Sequence, residues 1–163
     1  MDRDHPMLPA EMQGIINSGL WPRGYFKLGP RLQKVAPHIN FSLDLHDDEG
    51  HPPPFMYYHG RMMLDVEHPD SSRNQKLARG SRSGPVELPW LDVEKALIIG
   101  VNAYPGDDTF FVLDYRQSMI SPIVVTDRFA GRSDSTPYYL SDWVFLARDW
   151  REFLDGLEPC AAR

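Results

Sequence analysis

Six potential metal ligands crowd one stretch of this 163-residue chain: His46, Asp47, Asp48, Glu49, His51 and His59 fall within fourteen positions. Imidazole nitrogens and carboxylate oxygens suit zinc or manganese, and a metal-assisted hydrolase using His46, Asp48, His51 or His59 is one reading. Ligands must converge, however, and rings at this spacing share a face only on a helix. Gly50 and Pro52 to Pro54 forbid a helix there, so a solvated acidic turn explains the run without a metal. Nucleophilic catalysis finds less support. Cys160 stands beyond the last predicted helix, where nothing holds a base beside it, and no GxSxG elbow occurs. The serines gather in an Arg-rich stretch whose expected mobility would defeat a positioned hydrogen bond. Asp108 and Asp114 share a strand face but lie about 20 Å apart, at about 3.3 Å per residue, too far for a glycosidase pair. Asp107 and Asp108 suit turn chemistry, and Asp114 suits a bond to the turn that ends its strand. The expectation is a chain with no catalytic residues, no metal and no other cofactor.

What the carboxylates offer instead is a field. The chain carries 17 Lys and Arg against 23 Asp and Glu, a net charge of −6. Residues 1–90 contribute −1 and residues 91–163 contribute −5. Phosphate-backbone binding requires clustered cations, so a direct nucleic-acid partner is not expected. Arg73, Lys76, Arg79 and Arg82 do cluster in SSRNQKLARGSRSG, residues 71–84, but no aromatic interleaves them for base stacking. That stretch reads as a solvated, mobile loop. Phe55, Tyr57, Tyr58 and Trp90 could form a partner surface, although core packing is the commoner fate of such residues. No apolar run approaches the roughly 20 residues that cross a bilayer, so no membrane partner is expected. MDRDHPMLPAEMQ has no apolar run of the signal-peptide kind. A lone cysteine makes no internal disulfide, and the natural compartment is the cytoplasm.

The elements that position these residues are read from periodicity. Pro9 opens a helix in which Leu8, Met12, Ile15 and Ile16 recur at helical spacing and Gly19 is the stop. LGPRLQKVAP holds one helical turn before Pro37. INFSLDL, residues 39–45, alternates like a half-buried strand, and FMYYHGRMML is extended enough for another. ALIIGVN, TFFVLDY and SPIVVTDR are strands joined by short turns, and DWVFLA is a final one. RDWREFLDGL closes as a helix, with Asp149 as N-cap and Glu152 three positions on, the spacing of a capping box. Trp150, Phe153, Leu154 and Leu157 then share the face that docks on the sheet. Strands in sequence with a helix at each end predict one α+β domain over residues 1–163, with a mainly antiparallel sheet.

Two blocks of the second half resemble a known superfamily. LPWLDVEKALIIGVNAYPGDDTFFVLDYR, residues 88–116, is similar to the central block of the SUKH superfamily: an apolar strand ending in Ile-Gly, a Gly-Asp turn, and a strand ending in Leu-Asp-Tyr-Arg. SPIVVTDR resembles the strand that follows, and Trp143, Ala147, Trp150, Phe153 and Leu157 match the closing block. Upstream, LPAEMQGIINSGLWP and PPPFMYY resemble a bacterial branch, while residues 71–84 look like an insertion. The resemblance implies binding without catalysis. Bacterial members are immunity proteins that neutralise a toxin, often a nuclease, in polymorphic toxin systems, and fungal members include a regulator of cell-wall synthesis. An intracellular scaffold or regulatory module of the same fold is the alternative. Nuclease clefts are basic, so an acidic surface would speed and orient association. The residues expected to contact a basic toxin domain are Asp107, Asp108, Asp127 and Asp134, placed on turns beside the sheet, with Asp44, Asp47, Asp48 and Glu49.

Overall fold

The opening helix α1 runs Ala10–Asn17 and buries Met12. Residues 7–46, 50–53, 95–103, 109–132 and 139–161 are described by the computed structural model of the chain. Pro9 is the N-cap residue, one position earlier than the first-turn place its missing N–H suggested. At the other end Gly19 takes φ 76°, a left-handed conformation that a Cβ would oppose. That turn lets Leu20 N–H donate to Ile15 O at 3.0 Å and Gly19 N–H to Ile16 O at 3.1 Å, the paired bonds of a Schellman motif. Strand β1 (Tyr25–Leu28) and the short helix α2 (Pro30–Val35) follow, with Pro30 in the first turn. Strand β2 is only Leu43–Asp44. The longer strand expected over residues 39–45 is cut short because Ile39 N–H bonds back to Ala36 O, closing the exit from α2.

Four longer strands come next: β3 (Ala96–Asn102), β4 (Phe110–Asp114), β5 (Ile123–Arg132) and β6 (Tyr139–Ala147). Helix α3 (Trp150–Asp155) and β7 (Leu157–Cys160) complete the described chain. The order in the sheet is β6-β5-β4-β3-β2-β1-β7, and every neighbouring pair is antiparallel. The fold is α+β, as the order of elements predicted.

Chain length forces this sheet to curl. Seven flat strands at about 4.8 Å spacing would place β6 about 29 Å from β7. The link from Ala147 to Leu157 contains α3, whose rise is only about 1.5 Å per residue, so it reaches at most about 25 Å. Irregularities in register leave Ile99 of β3, Ala130 of β5 and Leu146 of β6 without a partner opposite. Such bulges bend and twist strands. Gly100, beside the first, accommodates Leu45 Cδ2 at 3.3 Å and Asp44 O at 3.4 Å from where a Cβ would stand. The curled ends meet through two more glycines. Gly29 N–H donates to Gly156 O at 2.7 Å, and a Cβ on Gly156 would fall 2.6 Å from Leu32 Cγ. Helix α2 thereby packs against β6, and α3 against β5 and β6.

Both faces of the central strands are buried. Leu97, Ile99, Phe111, Leu113, Val124 and Leu146 pack with Met12, Trp21, Leu32 and Phe153 on the helix side, where the Phe111 and Phe153 rings stack at 5.6 Å. Ala96, Ile98, Phe110, Val112, Val125 and Trp143 form a second apolar cluster. Burial on two faces explains why ALIIGVN and FFVLD read as unbroken apolar runs instead of alternating. The closing helix is capped as predicted at its first residue, with Asp149 Oδ1 accepting Glu152 N–H at 2.9 Å. Glu152 reaches one residue further back than a capping box requires: its Oε2 accepts from Arg148 N–H and Nε–H, both at 2.9 Å. The helix stops at Asp155, and Leu157, expected as its last apolar residue, begins β7 instead. FMYYHGRMML and the basic stretch 71–84 lie outside the described residues.

Candidate partner-binding surface

One end of the sheet gathers the strand termini on which the acidic residues were expected. Antiparallel order brings the end of β3, the starts of β2 and β4, and the upper part of β5 to one level, with Asn102 opposite Leu43 and Phe110 opposite Val101. From this level β5 and β6 continue together as a two-stranded ribbon, pairing Arg128 with Asp142 and Arg132 with Tyr139. Asp107 and Asp108, between β3 and β4, and Asp134, between β5 and β6, lie outside the described residues. So do Asp47, Asp48 and Glu49.

Asp127 is within β5 and not on a turn, which corrects its expected placement. The register of β4 against β5 ends at Phe111 and Thr126. One residue further, the Asp127 carboxylate takes over from the ladder: its Oδ1 accepts Phe110 N–H at 2.8 Å. Thr126 Oγ1–H donates to Phe110 O at 2.9 Å, so both backbone groups of Phe110 are met by side chains of β5. The Asp127 carbonyl is met as well, with His38 Nε2 at 3.2 Å from its oxygen. This contact fastens the segment after α2 to β5. Burial lowers the His38 pKa below its usual value and the Arg128 charge adds to that, while the bond to the Asp127 carbonyl pulls the other way.

Asp44 is also committed to its own backbone. Its Oδ1 accepts His46 N–H at 2.9 Å, and the nearly buried His46 ring brings Nδ1 to 3.8 Å from the same oxygen. That local loop explains how His46 can sit beside three acidic residues in sequence and still be 6% exposed. Among the described residues, no group of three His, Cys, Asp or Glu side chains is arranged to hold a metal ion. Asp48 and His59 lie outside them. Asp114 ends β4 by accepting Arg116 N–H at 3.1 Å, and it holds the guanidinium through Nε at 2.9 and 3.0 Å and Nη2 at 2.6 Å. At 2% exposure the carboxylate is tolerable because the fork of Arg116 satisfies both its oxygens.

The chain matches no family model, no curated protein and no solved structure.

At the opposite end of the sheet lies an apolar groove of about 300 Å³, lined by Met7, Leu8, Pro9, Tyr115, Met119 and Ile120. Its floor is Tyr115, whose hydroxyl donates to Met7 O and whose burial pushes the phenol pKa well above its usual value. Met7 is 79% exposed and Ile120 88%. Only the pair Met119-Ile120 in a polar turn could have signalled it. No helix among the described residues is long and apolar enough to cross a membrane.

Proposed function

We propose that this chain is a non-catalytic protein-binding domain of the immunity type, which neutralises a toxin by covering a basic surface with acidic connections. The observation that carries this reading is the acid excess of the sequence: a net charge of −6, of which −5 falls in residues 91–163. A partner with a phosphate-binding cleft is attracted by such an acid excess over several ångströms, which raises the encounter rate and orients docking.

The SUKH-like motifs support the same reading by what their residues do. Gly100 lets β3 pass close to Leu45 and Asp44, Asp114 and Arg116 lock the end of β4, and Trp143, Ala147, Trp150 and Phe153 are buried. These are packing and pairing roles. A motif set built from them specifies a scaffold and leaves the proposed binding to other residues. Asp107, Asp108 and Asp134 remain the proposed contacts. Asp44 and Asp127 contribute field at this surface while holding His46 and Phe110 in place.

Co-purification with the products of neighbouring genes tests the reading. A stable one-to-one complex with a basic toxin domain is expected. Asp107→Lys with Asp108→Lys should slow association by about tenfold and leave the melting temperature unchanged. Unaltered association in that double variant, or no toxin domain retained, would count against the proposal.

A further inference from the structure

We draw no further inference here: the strongest candidate, the apolar groove floored by Tyr115 and rimmed by Met7, Met119 and Ile120 at the sheet end away from Asp127, has nothing in the structure to show what covers it.

Discussion

Asp127 shows how a carboxylate that looks available in sequence can be spent on the fold. Its oxygen accepts the N–H of Phe110, seventeen positions away, just beyond the end of the β4–β5 register. Asp127→Ala removes that acceptor and should cost about 1–3 kcal/mol in urea unfolding, whereas Asp127→Asn, which keeps a side-chain oxygen there, should cost less. Equal losses in the two variants would mean that the charge, and not the acceptor, matters. His38 gives a pH dependence of known sign. Its pKa is lowered in the folded chain, so the unfolded chain takes up the proton first. The stability it contributes is complete above about pH 6.5, the unfolded value, and is lost as pH falls through the folded pKa. His38→Gln should flatten the fall in urea midpoint below pH 6.5, and an unchanged slope would assign that fall to other groups. Asp114 was legible as a strand terminator because its partner Arg116 is two residues away. Asp127 was not, because its partner is set by register and not by sequence neighbours.

The long central strands are the elements that sequence resolves best. ALIIGVN coincides with β3 and TFFVLDY contains β4, since burial on both faces writes an uninterrupted apolar run. β1 and β7 left no such trace. Each has four residues, β7 includes Pro159, and their pairing of Tyr25 with Cys160 and Leu28 with Leu157 arises from curling of the whole sheet. Closing helix and closing strand share one apolar sequence, and Gly156 marks the change between them. The same glycine leaves room for Leu32, so Gly156→Ala should cost about 1–3 kcal/mol by overpacking and lower the urea midpoint. An unaffected midpoint would show that α2 can yield, and that the junction does not depend on close approach.

Across the whole molecule, the fold and the proposed function draw on different features of the chain. Apolar runs, caps and turn residues specify the helices and the long antiparallel strands, and these were largely readable in advance, whereas the curl of the sheet was not. The proposed binding chemistry was readable only as a net charge. Which carboxylates are free to act depends on which ones the backbone has claimed, and Asp44, Asp114 and Asp127 are claimed. A surface of this kind works at a distance, so its signature is kinetic. The decisive measurement is the association rate with a co-purified basic toxin domain as salt rises from about 0.01 M to about 1 M, where the screening length shrinks from about 30 Å to about 3 Å. The rate should fall by at least about tenfold while dissociation changes little. A rate indifferent to salt would contradict electrostatic capture by the acidic connections.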